Sequence, residues 1–374
     1  WSRTGRGGDW PFGYDELEPW YALAEQMLSV GGVASDEGPA RSGEYPLPPF
    51  PWSAPERFLA ESFRNAGLVP GHMPIARFNR CMTTGTCKYC PIGSRYTAQD
   101  HLAELVLKYP RALEIVTGCT ARALLMEGRR ARGLKYFDAN AGEERTVSAE
   151  RVVICAGAYE SPKLLLQSPS PEWPHGVGNT TDQVGRYLVT HSMLTIKGRA
   201  TSNKERWFQE YDFPTLMSRS WDTPERQRDG KIFLFNDRSR PNIDIARLMI
   251  KGRTRSEIEA ALEGSRESGL HAFIEEAGGY ANRLELGPGE GKFKLRQTRV
   301  QFDRDPHVGV YANKVLRDMA ELLQAAGYTI IPDDKDGLQS PRGDHCSGTC
   351  RMGTSPSNSV VLVRRPVVSN TFNG

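Results

Sequence analysis

Four apolar residues in succession, Val152-Val153-Ile154-Cys155, stand with no polar residue between them. A strand with one wet face alternates, so an unbroken run predicts a strand buried on both faces, as in a sheet of parallel strands. The run leads into Ala156-Gly157-Ala158 and a predicted helix over 161–167, where Pro162 falls at an early position that tolerates it. Strand, small-residue turn and helix in that order place the chain in the α/β class. With 374 residues there is material for two or three domains and for a core that needs no disulfide scaffold. Basic residues number 48 against 45 acidic, a net +3 with no block of like charge, which argues against a dedicated nucleic-acid surface. The apolar stretches are far shorter than a membrane span, so the chain is not read as an integral membrane protein. It opens on Trp1 with no charged-then-apolar leader, so no signal peptide is read.

Helices are predicted over 14–29, 55–66 and 97–108 from apolar residues spaced three and four apart. Short strands follow at 113–117, 121–126, 131–137 and 146–147. Residues 183–331 read as a separate α+β region, with strands at 194–198, 232–235, 243–249, 283–286 and 298–302 and helices at 254–263 and 311–326. Gly287, Gly289 and Gly291 fall in a polar loop and read as turn glycines.

The sharpest candidate for chemistry is His345-Cys346-Ser347-Gly348-Thr349-Cys350-Arg351-Met352-Gly353. A histidine on a glycine-bounded loop can approach a ligand, and its titration near neutral pH suits proton transfer. The small residues after it let a backbone or a flat ring come close. His191 reads as a structural residue ending a strand, and His72, His101, His175, His271 and His307 show no partner spacing.

The wording of this segment resembles the signature of the glucose-methanol-choline (GMC) oxidoreductases, FAD enzymes that oxidise alcohols and sugars. Three more segments are similar to that family in the expected order: 152–166, the strand-AGA-helix stretch; 176–191, which has Val184-Gly185-Arg186-Tyr187-Leu188 but Thr190 where the family has Asp; and Asn282-Arg283-Leu284-Glu285-Leu286. Residues 10–21 also resemble the sugar-dehydrogenase branch. The resemblance implies an FAD/NAD(P)-binding, Rossmann-like flavin domain with an α+β substrate domain, and oxidation of a sugar, polyol or other alcohol by hydride transfer to flavin. It implies His345 as catalytic base, and Ala121, Ala156 and Gly157 along the FAD. The family's opening Gly-x-Gly-x-x-Gly unit is not found, since Gly5 to Gly8 follow no strand, and its C-terminal end is not recognisable. The chain is therefore expected to be a piece of a longer reading frame with an incomplete flavin domain. The expected division is cap and substrate-domain elements at 1–76, flavin-domain portions at 77–182 and 333–374, and the substrate domain at 183–332.

Cys81, Cys87 and Cys90 form a second constellation, ending in Cys90-Pro91-Ile92-Gly93. A Cys-x2-Cys-Pro pair presents thiolates to iron-sulfur clusters or zinc. Zinc wants a fourth ligand that is not evident, three cysteines suit a three-iron cluster, and a disulfide or plain packing stays open. Some of the resembled sugar dehydrogenases carry such a cluster, with a spacing not identical to this one, which implies a cytochrome or other electron-acceptor subunit and, by the same likeness, the periplasmic face of the inner membrane. The compartment itself is not legible. Rival readings are a cluster-bearing electron-transfer or interaction module without turnover, an inactive remnant, and an alcohol or choline-type oxidase. A cationic substrate would call for an acidic or aromatic cage, and none is evident in the sequence.

Overall fold

The computed structural model describes residues 8–77, 81, 90, 92–200, 211–222, 231–237, 241–264, 267–332, 337–338 and 343–363. Gly5 to Gly7, Cys87 and the tail from 364 onward lie outside the described residues. The chain begins with helix α1 (Tyr14–Met27), strand β1 (Val30–Gly31), helix α2 (Ala54–Asn65) and strands β2 (Gly71–His72) and β3 (Ile75–Ala76). Helix α3 (Ala98–Lys108) precedes a three-stranded antiparallel meander of β4 (Cys119–Glu127), β5 (Arg130–Asp138) and β6 (Glu143–Ser148), and then helix α4 (Gly157–Leu166). The next part holds β7 (His191–Ala200), β8 (Leu216–Ser218), β9 (Ile232–Asn236), α5 (Pro241–Ile250), α6 (Arg255–Gly264), β10 (Glu267–Glu275), β11 (Arg283–Glu290) and β12 (Arg296–Gln301). Helix α7 (Pro306–Ala325) and the short strands β13 (Tyr328–Ile331), β14 (Gly337–Leu338), β15 (Met352–Gly353) and β16 (Val361–Leu362) complete it.

The main sheet has seven strands in the order β13-β7-β10-β9-β8-β2, with β14 also pairing β7. Every pairing in it is antiparallel. Its two faces differ because side chains alternate along each strand. On β10, Leu270, Ala272 and Ile274 are fully buried, and they join Leu194, Ile196, Ile232 and Leu234 beneath α2 and α7. Helix α7 turns Val308, Ala312, Val315, Met319, Leu322 and Leu323 to that face. Fully burying each larger side chain is worth about 1.5–3 kcal/mol, so this contact is the main core. Asp305 caps α7 by accepting from the His307 N–H at 3.1 Å, and Pro306 takes the first helical position. Under α2, buried Asn236 donates to Glu56 at 3.0 Å and accepts from the Thr215 and Leu216 N–H groups, pinning the helix to the sheet edge. The opposite face of the sheet carries His191, Phe233, Phe235, His271 and Phe273.

Several sequence expectations need correction. Residues 151–155 form no strand: Val153 is 84% exposed and Cys155 is exposed. A strand of this kind exists only between neighbours that take up its N–H and C=O groups, and none of the described strands pairs with it. Residues 113–117 are likewise unpaired, with Val116 62% exposed. Residues 243–249, read as a strand, lie within helix α5. Ile243 and Ile245 imitate a period of two, but Pro241 opens a helix and Ile245, Leu248 and Met249 keep the spacing of one. Gly287 and Gly289 belong to strand β11 at a register shift rather than to a loop. Strand β10 was not expected at all.

Candidate active site

The four motif segments converge through backbone bonds. Val189 and Ser347 exchange two N–H to C=O bonds at 3.0 and 2.8 Å, which fix the loop after His345 against the segment before β7. The Gly185 N–H donates to Thr349 C=O at 2.9 Å, and Leu284 N–H donates to Gly185 C=O at 2.9 Å. Thr349 Oγ1 donates to the Ala158 carbonyl at 2.6 Å, so the histidine loop is tied to the start of α4. Two glycines make this approach possible. Gly185 has φ +85° and Gly348 φ +95°, and a Cβ on either would run into a carbonyl oxygen, of Leu284 and Tyr187 respectively.

This scaffold places His345 against His191, with Nδ1 of His345 2.5 Å from Nε2 of His191. Asp344 Oδ2 lies 3.7 Å from the other nitrogen, Nε2 of His345. The His191 ring packs on Phe273 at 4.0 Å between centroids, and Phe273 meets His345 edge to face at 5.9 Å. Around the pair is a cavity of about 390 Å3 lined by Val189, Arg219, Phe233, Phe273, Glu276 and Ser347, among others. Glu276 is 4% exposed and is held by Ser192 Oγ and the Asp305 N–H. One aromatic wall, two imidazoles and a few polar groups are the makings of a site that binds an organic molecule and moves a proton.

A second cavity of about 650 Å3 is lined by Ala156, Gly157, Ala158, Tyr159 and Glu160 on one side and by Gly343, Asp344 and Cys346 on the other. Two of the predicted cofactor residues, Ala156 and Gly157, thus lie across from the loop bearing His345. Gly157 has φ +75°, and a Cβ there would meet nothing within 4 Å, so the backbone faces open space. Helix α4 begins at Gly157, which puts its unpaired N–H groups at this wall. Tyr159 Oη lies 3.0 Å from Cys346 Sγ; that bond, followed by burial, pushes the phenol up to about 12. Ala121 lies elsewhere, exposed on β4 opposite Tyr136, and is not brought to this cavity.

Of the cysteines, Cys81 and Cys90 are described and Cys87 lies outside the described residues. Among the described residues all six cysteines are thiols rather than halves of a disulfide, and no three His, Cys, Asp or Glu side chains gather as a metal site. Cys90 Sγ accepts from the Ser94 N–H at 3.3 Å. Burial works to raise its pKa, but the N–H groups of Ser94, Ile92 and Arg95 and the charge of Arg77 outweigh it, and the thiol sits below its ordinary value. Cys350 is the opposite case, pushed up to about 11 by burial. No described helix is long and apolar enough to cross a membrane.

The family model for GMC oxidoreductases matches residues 8–193. This chain belongs to the GMC oxidoreductases. Among its relatives, the large subunit of fructose dehydrogenase from Gluconobacter japonicus is 29% identical over 202 residues, covering 51% of this chain and 36% of that protein. The 2-methyl-1,2-propanediol dehydrogenase of Mycolicibacterium austroafricanum is 23% identical across 94% of this chain and 66% of its own length. The chain thus spans about a third of the first relative and just under two thirds of the second. Pyridoxine 4-oxidase from Mesorbium loti shares its fold with a TM-score of 0.56 at 19% identity, over 96% of this chain and 71% of that one. An FAD-dependent oxidoreductase from Chaetomium thermophilum does so with a TM-score of 0.61 at 13% identity, over 96% and 74%. The expected α/β flavin-domain fold with an α+β substrate region is the fold of this GMC chain.

The sequence reading missed the role of position 191. His191 opens β7 rather than ending a strand, and it sits on His345. The aromatic wall was missed with β10, although Leu270, Ala272 and Ile274 alternate with His271, Phe273 and Glu275 in the pattern of a two-faced strand.

Proposed function

We propose that this protein is an FAD-dependent dehydrogenase that oxidises a CH–OH group of a sugar, polyol or other alcohol, with His345 as the base. The observation that carries the reading is the His191–His345 pair, set between the aromatic cavity and the open Ala156-Gly157-Ala158 backbone. That backbone suits a flat dinucleotide, since no side chain of 156–158 exceeds a methyl group and the helix start beside it favours a phosphate. Bound along it, FAD supplies the hydride acceptor. The likeness assigns Ala121 to the adenine edge, and its position on β4 away from the cavity leaves it the least supported member of the set. The flavin part is assigned to 77–182 and 333–374, the substrate part to 183–332, and cap and substrate-domain elements to 1–76.

The residues perform the proton half of the reaction. For His345 to act as base at Nε2, its Nδ1–H donates to Nε2 of His191, which fixes the tautomer and the ring. Nε2 then accepts the substrate hydroxyl proton, with the Asp344 carboxylate 3.7 Å away. A hydride leaves a carbon more readily as its oxygen gains alkoxide character, so the two transfers belong together.

Cys81, Cys87 and Cys90 are assigned as the residues that would hold a three-iron cluster, which would supply a route for electrons to a cytochrome or other acceptor subunit. The lowered Cys90 thiol, ringed by N–H donors, supports a thiolate ligand. A relative named as a large subunit agrees with a partnered enzyme.

The test is anaerobic mixing of the flavin-loaded protein with a panel of sugars and alcohols. Bleaching of the flavin by at least one of them is expected, slowed about 10²–10⁴-fold in His345→Ala with flavin still bound. No bleaching, or an equal rate in the variant, would overturn the proposal.

A further inference from the structure

Next to the His345 cavity lies a larger one of about 700 Å3, and Arg219 and Lys231 line both, so the two adjoin. It is built on α1. Tyr14, Leu17, Glu18, Tyr21 and Glu25 follow three-and-four spacing, which sets them on one face of the helix, and all five line the cavity. Tyr14 and Tyr21 lie nearly parallel at 6.3 Å, and Trp10 meets Phe12 edge to face at 5.6 Å. Trp10 is 54% and Tyr21 52% exposed, so the cavity offers broad aromatic surface. Rings of this size normally bury most of their area, and those that line an open cavity are suited to a ligand with an apolar face.

The charged groups narrow the ligand. Glu18, Glu25, Asp36 and Glu37 also line the cavity, the acidic and aromatic surroundings that the sequence did not reveal. Each carboxylate is already engaged. Glu25 holds Arg41 through both oxygens, Glu18 accepts from the Ser42 N–H at 2.8 Å, Asp36 accepts from the His72 N–H at 2.6 Å, and Glu37 accepts from Ser220 Oγ at 2.8 Å. Arg41 lies on the Tyr45 ring at 3.7 Å. Arg41, Arg219 and Lys231 line the same cavity and nearly balance these four charges, which favours a neutral molecule with an apolar face and a hydroxyl rim. Aromatic faces meet its C–H groups, and the remaining lone pairs and N–H groups of the carboxylates and guanidinium groups meet its hydroxyls.

We infer that this cavity takes the outer ring of a glycoside whose inner ring presents its hydroxyl to His345. The substrate is then a carbohydrate of at least two rings, an inference that rests on the function proposed above.

The experiment compares kcat/KM of the flavin-loaded protein for a panel of disaccharides of differing linkage with that for the methyl glycosides of their component rings. At least one disaccharide is expected to exceed its methyl glycoside by about tenfold, mainly through KM, as one good stacking contact allows. In Trp10→Ala and in Tyr21→Ala that ratio falls toward one, while Tyr21→Phe keeps it. Both side chains are more than half exposed, so truncation spares the core. A panel with no such gain, a ratio unmoved by either alanine variant, or a gain confined to amine-bearing rings would overturn the inference. Failure of the oxidoreductase reading looks different, because then no alcohol bleaches the flavin. Calorimetric binding of the same disaccharides to wild type and Trp10→Ala still decides the site in that case: binding weakened in the variant supports it, and equal or absent binding ends it.

Discussion

Nε2 of His191 lies 2.5 Å from Nδ1 of His345, two imidazoles brought together across 154 residues of sequence. A contact between two imidazoles needs one N–H and one lone pair, so the partner decides which nitrogen of His345 is basic. His191→Ala removes the acceptor and frees the ring. His191→Gln keeps a carbonyl oxygen that can still accept from Nδ1–H. Flavin reduction at saturating substrate is expected to fall about 10²-fold in the alanine variant and distinctly less in the glutamine one. Equal loss in both would mean that His191 acts by shape alone.

Gly348 tests the loop that carries the base. Its φ of +95° and the Tyr187 carbonyl facing its Cα leave no room for a side chain. Gly348→Ala is expected to cost about 1–3 kcal/mol by urea unfolding and to lower turnover, since the Val189–Ser347 bonds that aim His345 are adjacent. Gly157→Ala also has a positive φ, +75°, but meets open space, so its cost is expected to be smaller.

Two cysteines are expected to respond to pH in opposite ways. Cys350 is pushed up to about 11 by burial, and Cys90 is held below its ordinary value by N–H groups that outweigh burial. In iron-free protein at pH 8, iodoacetamide is expected to label Cys90 early and Cys350 last, as read by peptide mass spectrometry. For Cys350 the folded pKa is above the unfolded one, so its contribution to stability is present below about pH 9 and is lost as pH rises toward 11. Cys350→Ala should flatten that alkaline loss in thermal melts.

His271 joins Thr195 Oγ1 at 2.8 Å through Nδ1 and Asp237 Oδ1 at 2.8 Å through Nε2. Hydroxyl, imidazole and carboxylate in a row have the order of a nucleophile relay. Thr195, however, is 9% exposed within the sheet, and its role is to join β7, β10 and the end of β9. His271→Ala is expected to destabilise the protein by about 2 kcal/mol while leaving the KM for alcohol unchanged. A changed KM with unchanged stability would assign the chain of bonds to the reaction instead.

What was legible in the sequence divides along physical lines. The histidine loop, the AGA turn and the Gly185 and Asn282 segments could be read through their resemblance to the GMC family, and the structure packs all four together. Helices α2 and α7 could be read because their apolar stripes face a single core. The 152–155 run was misread because strand formation depends on neighbours supplied from elsewhere. The His191–His345 contact has no local signal, being set by the register of two segments far apart in the chain. The aromatic cavity on α1 was hidden for a similar reason: Tyr21, with Leu17 and Met27, looks like a core position of an amphipathic helix, and only the fold shows it open.

The central claim is a flavin enzyme whose base is His345, and the most direct measurement is an anaerobic absorption spectrum of the purified protein before and after each alcohol is added. The account expects flavin bands that bleach with one of them and stay largely unbleached over the same interval in His345→Ala, above a broad iron-sulfur absorption that disappears when Cys81, Cys87 and Cys90 are replaced. Protein purified from the full reading frame without flavin, and unable to take it up when FAD is added, would contradict it.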